Sequence, residues 1–504
     1  MKKTPSTIWP VIAVDRNAAK PLHKQIYDAY RAMVVDGNVG PGQRIPSTRA
    51  LAVELKISRI PVLTAYAQLL AEGYFEARTG AGTFVCDSLP GHLSPRDGGR
   101  EHAGGDMSAS RSLSRRASLL PRLERRPWLG GFGAFSISEP AFDEFPFQVW
   151  SRLVMRHCRS LSLAGLHYGN PLGFGPLREA ICAYLRTSRA VRCDPHQVMI
   201  VNGSQQALEI TTRVLLDEGS PVWIEEPGYW LAQHILTGAG CRPIPVPVDQ
   251  EGLQVEIGIK SCRRAKAAFV APSHQYPLGA TMSASRRLQL LDWAHSVGAW
   301  IIEDDYDSEY RFGSMPIASL QGLDRNSRVI YIGTFSKTLF PSLRLGFVVI
   351  PNDLVERFAA VRYGIDISPP HFFQAVLTDF MREGHFARHI RRMRQLYAER
   401  RAALVDAIEE EFSSSLRITG AEAGMYLSVI LPKGLRDQEL AARAARQRLW
   451  LQPLSTAYLG APRRQGFVLG FGSTATRDMP KAVRALKSVL AADGQPASGR
   501  VKSG

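Results

Sequence analysis

The 504-residue sequence has no apolar run of the ~18 residues that suggest a membrane-spanning helix. Its opening, Met1 to Pro10, carries Lys2 and Lys3 but lacks the apolar centre of a secretory signal. These absences predict a cytoplasmic protein with no membrane role. Cysteine is scarce. The six, Cys86, Cys158, Cys182, Cys193, Cys241 and Cys262, show neither a CxxC nor a paired metal spacing, which predicts reduced thiols and no metal site. No internal repeat is visible. Acidic residues are outnumbered, 46 against 62 lysines and arginines, for a net charge of +16. That balance favours an acidic partner such as nucleic acid without demanding one.

What is present suits globular folding, with 45% hydrophobic and 21% charged residues. The length predicts two or more domains at roughly 100 to 200 residues each. Residues 15–86 read as a compact unit. Pro21 precedes Leu22, Ile26, Tyr30, Met33 and Val34 at helical spacing, ending near Gly37. Ser47 is placed to cap a second helix burying Leu51 and Leu55, and Ser58 a third burying Val62, Ala65, Tyr66 and Leu69. Pro61 falls in the first turn of that third helix, where a missing N–H costs least. Residues 74–78 and 83–85 then read as strands around the Gly80 and Gly82 turn. Three helices followed by a hairpin make a winged helix-turn-helix, whose third helix enters the major groove of DNA.

Residues 87–131, rich in Pro, Gly, Ser and Arg, read as a basic flexible linker, and residues 491–504 as a disordered tail. Between them, residues 132–490 alternate helical stretches with apolar runs at 198–201, 222–224, 268–270, 300–302, 329–332 and 346–350. This is α/β organisation around a mostly parallel sheet.

Several segments in that region carry chemistry. Lys337 follows a strand, between Ser336 and Thr338, with Arg344 seven positions on. Its amine can form a Schiff base with an aldehyde cofactor while Thr334, Ser336 and Arg344 hold a phosphate; taken alone, it is also an ordinary loop lysine. The acids in 303–309 lie at the carboxyl end of an apolar strand, where open α/β sheets place ligands. A carboxylate there suits a protonated pyridine nitrogen, and Tyr306 a ring hydroxyl; a solvated loop or a magnesium site would look similar. Gly203, Ser204 and Gln205 open a helix after a strand, and exposed N–H groups at such a terminus cradle phosphate. Tyr229 follows another strand and suits stacking on a ring.

Taken in order, Tyr168-Gly-Asn-Pro-Leu-Gly173, Pro272-Ser-His-Gln-Tyr-Pro-Leu-Gly279, Glu303-Asp-Asp-Tyr-Asp-Ser-Glu309 and Gly333-Thr-Phe-Ser-Lys337 resemble fold-type I pyridoxal-phosphate enzymes of the aminotransferase class. With Pro21-Leu-His-Lys-Gln-Ile26, Pro41-Gly-Gln-Arg-Ile-Pro-Ser-Thr-Arg-Ala-Leu51 and Ala71-Glu-Gly-Tyr74 in front, the chain resembles the MocR subgroup of GntR-type transcription regulators. The resemblance implies pyridoxal 5'-phosphate bound covalently by Lys337, with Asp304 against the pyridine nitrogen, Tyr306 at the ring hydroxyl and Tyr229 stacked on the ring. Ser204, Gln205, Thr334 and Arg344 would hold the phosphate. Tyr168 would reach the phosphate of a neighbouring subunit, implying a head-to-tail homodimer. On the DNA side it implies contacts from Arg44, Arg49 and Arg59, a wing shaped by Gly82, and helix starts at Ser47, Thr48 and Ser58 facing a double-stranded operator.

The sequence departs from the aminotransferase pattern at three places. Val468 occupies the slot of the arginine that binds a substrate α-carboxylate, and a valine cannot pair with one; Arg463 and Arg464 are near in sequence. Tyr276 stands where an asparagine contacts the ring hydroxyl, with His274 and Gln275 as replacements. Leu231 stands where the GABA-responsive branch has an arginine. Two functions remain. One is a DNA-binding regulator sensing pyridoxal phosphate, or an amine or amino acid, through the Schiff base at Lys337, with vestigial or half-reaction transaminase chemistry. The alternative is an active aminotransferase with an attached DNA-binding module.

Overall fold

The computed structural model describes residues 12–87, 113–120, 126–129, 131–137, 139–160, 163–312, 317–413 and 415–491. It divides into two compact units, Met1–Ser112 and Leu113–Gly504.

In the first unit, α1 (Leu22–Val35), β1 (Arg44–Ile45), α2 (Thr48–Glu54), α3 (Arg59–Ala71), β2 (Phe75–Arg78) and β3 (Gly82–Val85) follow in that order. The helical spacing buries Ile26, Tyr30 and Val34 of α1 and Val62, Tyr66 and Leu69 of α3 in one core. At its centre the rings of Tyr30, Tyr66 and Phe75 meet edge to face, with centroids 5.3–5.6 Å apart. The Tyr66 hydroxyl donates to the Pro46 carbonyl at 2.9 Å and lies 3.0 Å from that of Tyr30, so both buried hydroxyls are satisfied. Ser47 caps α2, accepting from the Ala50 N–H at 3.2 Å. Ser58 differs from expectation: it occupies the cap position of α3 with extended backbone, but its side chain accepts no capping bond. The sequence patterns also missed β1, two residues long, which pairs with β3 and widens the hairpin to a sheet of order β1-β3-β2.

The second unit begins inside the stretch expected to be a flexible linker. Residues Arg115–Leu119 form a helix capped by Ser114. Arg115 and Arg116 both pair with Glu218, and the Arg126 guanidinium lies 4.8 Å over the Trp230 ring. Composition reads this segment as solvated. Arg115 and Arg116 do stay exposed, but they and Arg126 find an acid and an aromatic face on the large domain. Residues 88–112 of that stretch, and the tail 492–504, lie outside the described residues.

Eight strands form the main sheet: β4 (Val198–Val201), β5 (Pro221–Glu226), β6 (Arg242–Asp249), β7 (Gly252–Leu253), β8 (Ala267–Val270), β9 (Trp300–Asp305), β10 (Val329–Thr334) and β11 (Gly346–Val349). Their order is β4-β11-β10-β9-β8-β5-β6-β7. The run from β10 to β6 is parallel; β11 is antiparallel to both its neighbours, so that β4 at the edge runs with the central strands, and β7 at the other edge is antiparallel. Each expected apolar run lies in a strand of this sheet. Both faces are covered, which is why the central strands read as continuous apolar runs. A second, antiparallel sheet holds β12 (Arg417–Thr419), β13 (Tyr426–Ile430), β14 (Gln452–Pro453) and β15 (Gly466–Gly470) in the order β12-β13-β15-β14. Among the described residues no helix is long and apolar enough to cross a membrane.

The aromatic centre of the first unit gives a direct stability test. Phe75→Ala removes one of three mutually packed rings and is expected to destabilise that unit by about 3–5 kcal/mol, read by chemical denaturation followed at the two units separately. A loss below about 1 kcal/mol would show that the cluster does not organise the unit.

Candidate functional site

A cavity of about 280 Å³ opens at the carboxyl ends of the central strands. Its wall takes Asp304 and Tyr306 from the end of β9, Thr334, Ser336 and Lys337 from the end of β10, and Arg344 from just before β11. Ser204 and Gln205, from the start of the helix Ser204–Leu215 after β4, and Tyr229, after β5, also line it, whereas the expected Gly203 and Tyr168 do not. Residues far apart in the chain are thus gathered at one end of the sheet, where the parallel strands β5, β9 and β10 finish and the antiparallel β11 begins.

One end of the cavity is built for an anion. The helix Ser204–Leu215 has no side-chain cap on its first N–H groups, and Ser204 and Gln205 at its start line the cavity. Gly203 precedes it at φ +85°, and a Cβ there would stand 2.8 Å from Nη2 of Arg344. Only glycine lets the guanidinium lie against this turn. Arg344 itself is left-handed, at φ 50°, and donates to the Asn202 carbonyl at 2.8 Å. The Thr334 hydroxyl accepts from the Ser336 N–H at 3.1 Å, holding that strand end in a tight turn.

The other end carries buried titratable groups. The acids of β9 and its following turn separate. Asp305 turns away, bonded to Arg189 at 2.8 Å and Tyr331 at 2.6 Å, and Asp307 pairs with His274 at 3.0 Å. Asp304 faces the cavity, and its Oδ1 is buried without a hydrogen-bond partner among the described residues. Burial, then the charges of Asp305 and Asp307, push the Asp304 carboxyl up to about 7. Burial likewise lowers the Lys337 amine to about 8, against the opposing pull of Asp307 and Asp304. A desolvated amine near a carboxylate with a vacant acceptor is what a nucleophilic lysine and a protonated ring nitrogen require.

Tyr229 and Gln205 are linked, Gln205 Nε2 donating to the tyrosine hydroxyl at 3.0 Å. The Tyr306 hydroxyl donates to the His274 carbonyl at 2.7 Å and lies 2.7 Å from the Tyr426 hydroxyl. His274 and Gln275, weighed above as replacements for the missing asparagine, do not line the cavity; Tyr276 does. Tyr168 is 73% exposed and lies outside this cavity. Tyr426, Met425 and Ile137 line it although no sequence signal pointed to them, because they come from the second sheet and from the segment leading into the domain. Glu225 carries no sequence signal beyond its place in a strand motif. It reaches the wall with an unpartnered Oε1, and burial pushes its carboxyl up to about 8.

On the first unit, α2 and α3, with the residues at their caps, carry most of the residues expected to contact DNA. Arg59 Nε donates to Thr48 Oγ1 at 3.1 Å, tying the start of α3 to the start of α2. Arg49 is exposed on α2. Arg44 lies on β1 beside the wing, where a Cβ on Gly82 would be 3.3 Å from its Nε.

Comparison with known proteins agrees with both halves. Residues 22–85 match the gntR family of bacterial regulatory proteins, and residues 134–468 match aminotransferase class I and II. The chain is 41% identical over 485 residues to the probable rhizopine catabolism regulatory protein MocR of Rhizobium meliloti, covering 96% of each. Among solved structures it resembles a Pyrococcus horikoshii kynurenine aminotransferase, in complex with PMP and KYN as substrates and KYA as products (TM-score 0.71, 27% identity, 78% of this chain and 99% of that one). It also resembles LysN, an α-aminoadipate aminotransferase of Thermus thermophilus complexed with N-(5'-phosphopyridoxyl)-L-leucine (TM-score 0.69, 29% identity, 75% and 98%).

The lowered Lys337 amine predicts a pH profile. Only the neutral amine attacks a carbonyl, so borohydride trapping of Lys337 with an aldehyde should fall as pH drops through about 8, rather than through the ~10.4 of an ordinary lysine. Asp304→Asn removes an attracting charge and should move the midpoint lower still. A midpoint at the ordinary lysine value would contradict the burial argument.

Proposed function

Because the chain belongs to the class I and II aminotransferase family and carries a gntR-family domain ahead of it, as MocR-type regulators do, we propose that it is a cytoplasmic transcription regulator controlled through pyridoxal 5'-phosphate at Lys337. The observation that carries this reading is Lys337 and the vacant Asp304 oxygen in one cavity, on a chain that also folds a winged helix-turn-helix.

The residues fit the cofactor at both ends. The uncapped helix start, Ser204, Gln205, Thr334 and the Arg344 guanidinium would hold its phosphate, and Asp304 supplies the acceptor that a protonated ring nitrogen needs. Tyr229 would cover the ring and Tyr306 would face the ring hydroxyl. When bound, the cofactor supplies an aldehyde for the lysine amine and an electron-withdrawing ring. The neutral fraction of Lys337, set by burial, makes it the nucleophile, and Asp304 holds a proton at the ring nitrogen.

Sensing, rather than sustained turnover, is supported by what the cavity wall lacks. Of its lining residues among those described, only Lys337 and Arg344 are cationic, and Arg344 lies at the phosphate end. Val468 is buried in β15, Arg463 and Arg464 are exposed outside the cavity, and Leu231 contributes apolar wall. A substrate carboxylate therefore has no dedicated guanidinium. Pyridoxal phosphate itself, or an amine with a modest anionic group, is the effector we propose. The exposed Tyr168 is free to serve a second subunit, in keeping with a head-to-tail homodimer reading paired half-sites.

The test is a DNA site enriched from random sequence by the purified protein, titrated with and without pyridoxal phosphate. We expect wild type to develop a visible Schiff-base band and to change its DNA affinity by about fivefold or more, and Lys337→Ala to do neither. A band with no change in DNA affinity would contradict regulation. Arg344→Ala should weaken cofactor binding by about tenfold to a hundredfold, as loss of a charged hydrogen bond costs about 1.5–3 kcal/mol; unchanged cofactor affinity in a titration would remove Arg344 from the phosphate site.

A further inference from the structure

The outer face of α3 is short of the groups that normally read bases. Its exposed residues are Arg59, Ile60, Leu63, Thr64 and Ala67, recurring at helical spacing opposite the buried Val62, Ala65, Tyr66 and Leu69. Ile60 is 73% exposed and Leu63 44%. No asparagine or lysine stands on α3, and its one glutamine, the half-buried Gln68, donates to Glu72 at 2.8 Å. The one hydroxyl there, of Thr64, already donates to the Ile60 carbonyl at 3.1 Å, and Nε of Arg59, the one guanidinium, is committed to Thr48.

We propose that this face reads thymine by its 5-methyl group, with Ile60 and Leu63 as the specificity-determining residues. The inference rests on the DNA-binding reading above and names what the recognition helix selects. Two branched aliphatic side chains left in water are unfavourable until something apolar covers them. The positive flank supplied by Arg44, Arg49 and Arg59 brings the face to a polyanion. Within the major groove the apolar group that distinguishes one base pair from the others is the thymine methyl. The helix rise puts Ile60 and Leu63 about 4.5 Å apart along α3, close to the ~3.4 Å between successive bases of a strand. The two methyl groups therefore lie on neighbouring base pairs of each half-site.

The experiment uses the full-length protein and a site enriched from random DNA. Each thymine in that site is replaced in turn by deoxyuracil, which removes the methyl and leaves every hydrogen-bonding group in place. Wild type is expected to lose about fourfold in affinity at each of two neighbouring positions, the ~0.8 kcal/mol of one buried methyl or methylene group. Ile60→Ala with Leu63→Ala is expected to bind thymine and deoxyuracil alike at those positions, with its melting temperature unchanged because both side chains are exposed. Equal wild-type binding of thymine and deoxyuracil at every position, or discrimination that survives in the double variant, overturns the proposal while leaving DNA binding intact. Failure to enrich any sequence overturns the DNA-binding reading, and this inference with it.

Discussion

The site depends on how charge is compensated at the end of β9. Within four positions the chain carries Asp304, Asp305 and Asp307, all buried. Like charges so close cannot stay ionised together below the surface unless each finds a partner. Arg189 and Tyr331 take Asp305 and His274 takes Asp307, leaving Asp304 with an oxygen that nothing in the described protein satisfies. Burial first, then the charges of Asp305 and Asp307, raises the Asp304 carboxyl to about 7, and burial lowers the Lys337 amine to about 8 against the opposing pull of Asp307 and Asp304. A cationic ring nitrogen is the group that relieves this imbalance. In the function we propose, the cofactor would complete the electrostatics of the domain as well as occupy its cavity.

The phosphate end obeys a steric constraint of comparable weight. Gly203, at φ +85°, has no side chain to hold the Arg344 guanidinium away from the turn before the helix, so the guanidinium lies beside the uncapped helix start. The proposed phosphate anchor and charge pair at opposite ends of one cavity would together set the length and the polarity of the molecule that fits it.

Much of this was legible in the sequence because the signals are local. Apolar runs bounded by chemistry-bearing residues marked six strands of the main sheet, and the residues expected around Lys337, Asp304 and Ser204 line one cavity. Helical spacing gave α1 and α3 from Ile26, Tyr30, Val62 and Tyr66. What was not legible depends on contacts between distant segments. Tyr426 reaches the cavity from another sheet, β1 exists only through pairing with β3, and Arg115 and Arg116 are fixed by Glu218, more than 100 positions away. A linker composition describes residues exposed to water, and these arginines stay exposed while pairing with an acid far along the chain.

Whether the two halves work as one device is a question of linkage. If cofactor binding alters DNA affinity, then DNA must alter cofactor affinity by the same factor. The most direct measurement is the dissociation constant of pyridoxal phosphate for the protein alone and for the protein saturated with its enriched DNA site, at one salt concentration. The account predicts that the two constants differ, by the factor that separates the DNA affinities of the cofactor-bound and cofactor-free forms. Equal constants would contradict it and would leave a cofactor-binding domain and a DNA-binding domain that share a chain without sharing free energy.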